Sequence, residues 1–226
     1  MRILAIEASA KAASVSIVED GSILGETFLN CGLTHSVTIM PSVEWLLDMA
    51  GLKVSNMDRI AITEGPGSFT GLRIGMAAVK GLAWACDIPC CGVSTLEAAA
   101  MGAAHIEGII CAVMDARAHQ VYNAMFKAQN GELTRLCEDR AITIDELATE
   151  LEGNENVVLV GDGAKLCYDE FGGRYSIAPE HIRYQRAAYV AYLAEKAEPV
   201  SAQELRPEYI RLPQAERERL ERLKNK

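Results

Sequence analysis

The part of this chain that decides its fold is Glu64-Gly65-Pro66-Gly67-Ser68-Phe69-Thr70-Gly71-Leu72-Arg73-Ile74-Gly75. The apolar run before it, 60–62, predicts a buried strand, and the small and apolar residues from 72 to 86 predict a helix. Glycine and proline between them favour a tight reversal, because proline fixes φ and glycine allows positive φ. Ser68 or Thr70 can cap the helix that follows.

Three glycines, Gly71, Gly75 and Gly81, lie on the predicted helix. An interior glycine costs about 1 kcal/mol relative to alanine, so we expect something to approach the backbone of this helix closely. A phosphate is one candidate, because a glycine-rich turn at a helix N-terminus attracts anions. A second helix is another, and an ordinary strand-turn-helix joint of an α/β domain is the third.

Two nucleotide-binding motifs fit this stretch poorly. A P-loop would need Lys-Ser or Lys-Thr after Gly71, and neither is present. A dinucleotide fingerprint would be one residue shorter than Gly65-x-Gly67-x-x-x-Gly71. Its ribose-binding acid should end the next strand, where Ser94 stands, whereas Asp87 precedes that strand.

Composition predicts a globular protein of one large or two small domains. The chain has 226 residues, of which 50% are hydrophobic and 23% charged. No apolar run approaches the roughly 20 residues that a membrane span needs. The start reads as a strand rather than a signal peptide, and the seven cysteines form no CxxC pair. We therefore expect a cytoplasmic protein with reduced thiols and no membrane association.

The net charge of −9 predicts weak binding to a nucleic-acid backbone unless a partner supplies a basic surface. The basic residues near the C-terminus, within 214–226, alternate with glutamates. A solvated helical tail is the favoured interpretation of that segment, and a nucleic-acid contact is the alternative.

One order of elements, β-β-β-α-β-α, is predicted twice, in residues 1–106 and 107–226. An apolar strand that ends in an acid opens each half, at 2–7 and at 108–115. The hairpin turn that follows is Asp20-Gly21 in the first half and Asn130-Gly131 in the second.

Two helices need comment. The first runs from Thr34 to about Ala50, and Pro41 inside it predicts a kink or a late start. The last long helix is predicted from His181 or Ile182 to about Glu198. Two such halves describe an α/β protein with the actin-like ATPase fold (ASKHA, ribonuclease H-like), which binds nucleotide between its halves.

Within that fold the sequence resembles the bacterial TsaB family of tRNA threonylcarbamoyladenosine biosynthesis proteins, also called YeaZ. The glycine-rich run quoted above is the most specific match. One departure is Glu7, where many members carry Asp. The other matching segments span nearly the whole chain and are 3–9, 35–36, 40–41, 92–97, 115–117, 121–122, 161–163 and 206–211.

The resemblance implies a non-catalytic partner of TsaD, which transfers a threonylcarbamoyl group to adenosine 37 of tRNA. It also implies a TsaE-like ATPase as a further partner, a homodimer in isolation, and contact with tRNA only through the complex. No cofactor is expected, with ATP or ADP a ligand of the complex alone. Thr95 and Ala99 stand where TsaD-like proteins carry metal-binding histidines, so no metal is expected either.

The predicted cleft offers only a few candidate cofactor-binding residues: Glu7, Ser9, Asp115, Gly161 and Gly163. Glu7 and Asp115 could face each other, and paired carboxylates suit metal-assisted chemistry. The first loop, however, has no glycine for a phosphate. We therefore expect no catalysis, with a small ATP-dependent phosphotransferase as the alternative function.

The resemblance places the partner interface on the first two helices of the first half. Gly71 and Gly75 lie one turn apart, and small residues let helix backbones approach closely. The alternative is that these glycines pack the helix onto its own sheet. The interface prediction names Val37, Met40, Gly71, Leu72, Gly75, Met76 and Val79.

Overall fold

The computed structural model describes residues 1–211, and the predicted basic tail, 214–226, lies outside them. The first half contains eight helices and strands in this order: β1 (Arg2–Glu7), β2 (Ala13–Glu19), β3 (Ser22–Leu29), α1 (His35–Ala50), β4 (Arg59–Gly65), α2 (Phe69–Cys86), β5 (Cys90–Ser94) and α3 (Thr95–Met101).

The second half repeats this order with one additional short strand and one additional helix. Its elements are β6 (Gly108–Arg117), β7 (Gln120–Gln129), β8 (Glu132–Arg135), β9 (Arg140–Thr143), α4 (Ile144–Leu151), β10 (Val157–Val160), α5 (Ala164–Glu170), β11 (Ser176–Ile177), α6 (Glu180–Arg183) and α7 (Ala187–Ala194).

The two sheets have the same strand order. The first reads β3-β2-β1-β4-β5 and the second, from its other end, β8-β7-β6-β10-β11, with β9 also paired to β7. In each sheet the three hairpin-connected strands are antiparallel and the later strands are parallel. This repeated order confirms the actin-like fold predicted from the sequence.

The first sheet is covered by helices on both faces, which explains why β1 is apolar at every position from Ile3 to Ile6. Leu4 and Ile6 face a core shared with α1 and α2. Ile3 and Ala5 face the opposite core, shared with α7. A strand with helices on both of its faces needs apolar residues at every position rather than at alternate ones.

Two helices pack across the predicted boundary at 106/107. Helix α3, from the first half, packs against the second sheet, where Leu96 and Ala100 contact the core of β6 and β7. Helix α7, from the second half, packs against β1 and β2 of the first sheet. Because α3 also contacts β4 and β5 of its own half, it lies between the two sheets, and the packing does not divide where the sequence pattern restarts.

The glycines of the strand-to-helix joint face the chain's own first loop, which follows β1. The Ser68 amide donates to the Ser9 carbonyl over 2.6 Å. A Cβ at Gly71 would overlap the Ala8 carbonyl oxygen, and one at Gly75 would lie 2.9 Å from the Ala8 Cβ. An ordinary strand-turn-helix joint is thus the correct interpretation, because the close neighbour is the loop and sheet beneath.

Two details of the helices differ from the prediction. Helix α1 begins at His35 and continues through Pro41 to Ala50, where Gly51 ends it in the left-handed conformation. The last helix is not continuous from 181 to 198, because residues 184–186 are extended and separate α6 from α7. The buried Gln185 side chain reaches toward Ser9 there, which a continuous helix would prevent.

Candidate functional site

A cleft of ≈ 650 Å³ lies between the two halves, beside the C-terminal ends of strands β1, β4, β6 and β10. Ligands of open α/β sheets bind at this edge. The lining comes from the segments that follow those strands and from the C-terminal segment, namely Ser9–Lys11, Pro66–Thr70, Met114–Arg117, Tyr122, Asp162 and Glu208–Arg211.

Glu7, which ends β1, is fully buried beneath the first loop. One of its oxygens accepts hydrogen bonds from the Ser9 amide (2.8 Å), the Ser9 hydroxyl and the Thr63 hydroxyl (3.2 Å). The pKa of Glu7 is raised to about 7: burial is the main cause, nearby Asp162 adds to it, and these hydrogen bonds oppose it. Glu7 therefore stabilises the first loop rather than facing the cleft.

Asp162 lies on the cleft floor and lines the cleft together with Asp115. Burial and the neighbouring Asp115 raise the pKa of Asp162 to about 6. Its Oδ1 has no hydrogen-bond partner among residues 1–211, and the same holds for Oε2 of Glu7 and Oε1 of Gln185. The sequence prediction paired Glu7 with Asp115, but the acid that interacts with both is Asp162.

The two glycines predicted as cofactor ligands, Gly161 and Gly163, serve packing instead. Their amides donate to the carbonyls of Arg183 (2.6 Å) and Val113 (3.1 Å). A Cβ at Gly161 would overlap the Val113 carbonyl oxygen, and one at Gly163 would lie 2.9 Å from the Asp115 nitrogen. Both glycines let the start of α5 approach β6, so their amides are not free for a phosphate.

The turn between β6 and β7 borders the cleft in a strained conformation. Arg117, Ala118 and His119 are all in the left-handed region, with φ values of 63°, 52° and 57°. Such conformations cost non-glycine residues of order 1 kcal/mol each and concentrate at functional sites. Two hydrogen bonds hold the turn. The Arg117 amide donates to Asp115 Oδ1 (2.7 Å), and the Ile144 amide donates to the His119 carbonyl.

The cleft thus combines an acidic floor with cations at its rim. Lys11 and Arg117 are exposed and form no ion pair within residues 1–211. The same part of the chain holds no cluster of three or more His, Cys, Asp or Glu side chains placed to bind a metal ion. Thr95 and Ala99 both belong to α3 and are buried. This cleft can accommodate a small polar molecule, with Asp162 as an acceptor.

The second candidate site is the outer surface of α1 and α2, where most of the predicted interface residues are not exposed. Val37 and Met40 are exposed, as the prediction required. The predicted face of α2 is wrong, because it packs onto the chain's own sheet and first loop and cannot meet a partner. The residues concerned are Gly71, Leu72, Gly75, Met76 and Val79.

The surface that these helices do expose is apolar and contains two tryptophans. Trp45 is 54% exposed, Met49 68% and Trp84 69%. Gly81 lies on the exposed side of α2, where a Cβ would meet nothing within 4 Å. We call this surface the α1–α2 face and define it by Val37, Met40, Trp45, Met49, Ala77, Gly81 and Trp84.

Sequence reasoning overlooked two features that the structure brings out. Asp162 had a signal, since it stands between the two glycines that drew attention instead. Trp45 and Trp84 also had one, since each lies outside the apolar stripe of its helix. In the described part of the chain, no helix is both long and apolar enough to span a membrane.

Comparisons with known proteins agree with this architecture. The family described as "TsaD: tRNA N6-adenosine threonylcarbamoyltransferase" matches residues 30–218. The Bacillus subtilis tRNA threonylcarbamoyladenosine biosynthesis protein TsaB is 32% identical over 221 residues, with 96% of each chain covered.

Two solved structures from Pseudomonas aeruginosa resemble this chain throughout. YeaZ has a TM-score of 0.80 at 28% identity, covering 92% of this chain and 99% of its own. An uncharacterized protein "with similarity to peptidase YEAZ" has a TM-score of 0.81 at 29% identity, covering 93% and 99%.

Proposed function

This chain belongs to the TsaB family of tRNA threonylcarbamoyladenosine biosynthesis proteins, and we propose that it is the non-catalytic subunit that binds a TsaD-like protein. In this proposal the α1–α2 face is the binding surface. The complex, and not this chain alone, transfers the threonylcarbamoyl group to tRNA.

The observation that carries the proposal is the composition of the α1–α2 face. Tryptophan and methionine dominate it, and tryptophans are enriched among the residues that contribute most to binding energy. Exposed apolar side chains grouped on two neighbouring helices often mark interaction sites. Gly81 adds a position where a partner helix can approach the backbone of α2.

The cleft supports a non-catalytic role. Glu7 directs one oxygen to its own loop, and a pKa of about 7 leaves it largely protonated below neutral pH. The Ala8 and Ser9 carbonyls pack against α2 where a phosphate would have to lie. Phosphoryl transfer depends on ionised groups and donors that reach the phosphates. The buried Glu7 cannot serve as one, which leaves Lys11 as the exposed charged side chain of this loop.

Further members of the assembly follow from the same proposal. A net charge of −9 disfavours direct binding of tRNA, so tRNA should bind only through the complex. A TsaE-like ATPase is the expected third component, and ATP or ADP would be a ligand of the assembly. Without its partner, the apolar α1–α2 face would pair with a second copy of this chain.

Gly81→Arg tests the binding surface. The arginine projects from an open part of α2, so the variant should fold normally, as judged by circular dichroism, and lose co-purification with a TsaD-like protein. Leu166→Arg is the matched control, because Leu166 is exposed on helix α5 of the second half. Wild-type co-purification of Gly81→Arg would rule out the α1–α2 face as the interface.

A tRNA modification assay tests the role itself. The TsaD-like protein and its ATPase should form the modified nucleoside only when this chain is present, and this chain alone should form none. Glu7→Ala and Asp115→Ala should retain activity in the complex. Turnover by this chain alone, abolished by either substitution, would show that it is an enzyme.

A further inference from the structure

The C-terminal segment Glu208–Arg211, here called the strap, crosses from the first half to the second and forms one wall of the cleft. It belongs to a motif singled out in the sequence, yet the proposed function gives it no task. Its contacts with the two halves differ in kind, and the difference suggests a mechanical role.

The strap is built into the first half through its backbone. Leu205, just before it, is buried in the core beneath α1 and α2. The Glu208 amide donates to the Glu64 carbonyl over 2.7 Å. Gly65 has a φ of +143°, and a Cβ there would overlap the Glu208 carbonyl oxygen. The joint between β4 and α2 therefore needs glycine at this position to receive the strap.

Aromatic stacking adds a second attachment to the first half. The ring of Tyr209 stacks on Phe69, in the first turn of α2, with centroids 4.3 Å apart. Arg73 lies over the same Phe69 ring at 3.9 Å and donates from Nε to the Tyr209 hydroxyl at 3.2 Å. Three side chains thus hold this end of the strap on α2.

The attachment to the second half is much slighter. Arg211 Nη1 donates to the Ala116 carbonyl over 3.0 Å. Among residues 1–211, this is the single hydrogen bond between the strap and the second half. Ala116 lies immediately before the three left-handed residues of the β6–β7 turn. One partly buried hydrogen bond therefore connects the anchored strap to a strained turn across the mouth of the cleft.

We infer that the strap is a latch: the Arg211–Ala116 hydrogen bond holds the cleft closed, and its rupture lets the β6–β7 turn move away from the first half. The strap itself stays on α2 in both states, because its backbone and aromatic contacts are independent of Arg211. Opening is then a local event, of the kind that exposed segments with few contacts undergo.

Amide hydrogen exchange on the intact protein tests this latch. Arg211→Ala should speed exchange about fivefold in peptides covering 115–121, the effect of losing one hydrogen bond of ordinary net strength. Exchange in peptides covering 205–209 should not change. Arg206→Ala is the matched control, because Arg206 is an exposed arginine of the same segment whose side chain makes no hydrogen bond or ion pair within residues 1–211.

A second variant separates the latch from its anchor. Tyr209→Ala removes the stacking on Phe69, so exchange should rise in both 205–209 and 115–121. Two results would overturn the inference. One is unchanged exchange of 115–121 in Arg211→Ala, and the other is an equal rise in 205–209, which would mean that the strap is released as a whole.

Discussion

The two sides of helix α2 carry similar small residues in opposite surroundings. On the inner side, Gly71 and Gly75 lie against the first loop and β4, with no room for a Cβ. On the outer side, Gly81 faces open space beside the exposed Trp84. The same residue type thus allows close packing within the chain on one side and leaves the backbone accessible on the other.

This difference separates the requirements of folding from those of binding. The inner glycines are needed because the chain's own backbone occupies the space of a side chain. Gly81 has no such neighbour, and a helix-interior glycine costs about 1 kcal/mol relative to alanine. A glycine that costs stability without serving the fold is best explained by a partner, in line with the proposed interface.

The largest expected effect is that of Gly75→Arg. A Cβ at Gly75 would already lie 2.9 Å from Ala8 and 3.0 Å from Ile62 Cδ1, so an arginine would place a charge in the core. We expect insoluble or unfolded protein, measured as soluble yield and circular dichroism. Gly81→Arg is the matched control and should be soluble and folded; a folded Gly75→Arg would contradict the distinction between the two sides.

Glu7, which is buried under the first loop on the inner side of α2, makes the folding stability of the protein depend on pH. Because folding raises the pKa of Glu7 from 4.5 to about 7, its stabilising effect is complete below about pH 4.5 and lost by about pH 7. The loss is about 3 kcal/mol, since one pKa unit corresponds to about 1.4 kcal/mol. Glu7→Gln should remove this part of the pH dependence. The stability of the variant relative to the wild type should therefore increase as pH rises.

Urea unfolding at pH 5 and pH 8 measures this prediction. The free-energy difference between variant and wild type should shift by about 2.5 kcal/mol between the two pH values, because part of the effect is already lost at pH 5. Glu44→Gln, which removes an exposed carboxylate from α1, controls for the loss of a charge. An equal difference at both pH values would mean that Glu7 is not the source of the dependence.

Gly71→Ala should be destabilising. The new Cβ would overlap the Ala8 carbonyl oxygen and approach the His35 ring at 3.0 Å, so the first loop must shift. Overpacking of this kind costs about 1–3 kcal/mol. Urea denaturation, with an unchanged m-value, would measure this loss of unfolding free energy. A variant as stable as the wild type would show that the loop is not held by this contact.

The smallest effect is expected on the outer side, with the opposite sign. Gly81→Ala adds a methyl group in open space and removes the helix penalty of glycine, so the protein should gain about 1 kcal/mol. The same urea measurement applies. A loss of stability would mean that Gly81 has an intramolecular task, and the argument for a partner at this position would fail.

Much of the fold was predictable because the signals are local. Hairpin turns at Asp20-Gly21 and Asn130-Gly131, and the Ser68 cap of α2, depend on residues adjacent in the sequence. The packing of α3 between both sheets and of α7 on the first sheet was not predictable, because either sheet can bury an apolar helix. The break at 184–186 also has a distant cause, since Gln185 extends toward Ser9.

The candidate sites were predicted less completely, for a related reason. Helical spacing places Gly71, Gly75 and Met76 together, but it does not say whether that side meets the sheet or a partner. Only the position of Ala8, more than sixty residues earlier in the sequence, decides it. Burial likewise determined which predicted position could line the cleft floor. Glu7 is covered by its own loop, whereas Asp162 lines the cleft.

The sequence by itself determined the repeated α/β pattern, the strand-to-helix joint and the family resemblance. These rest on periodicity, turn chemistry and a specific glycine-rich run, which are properties of neighbouring residues. The tertiary structure decided which side of α2 is free, that Glu7 is buried while Asp162 lines the cleft, and what the strap connects. Each of these depends on backbone from a distant part of the chain, which fills or leaves open the space beside a side chain.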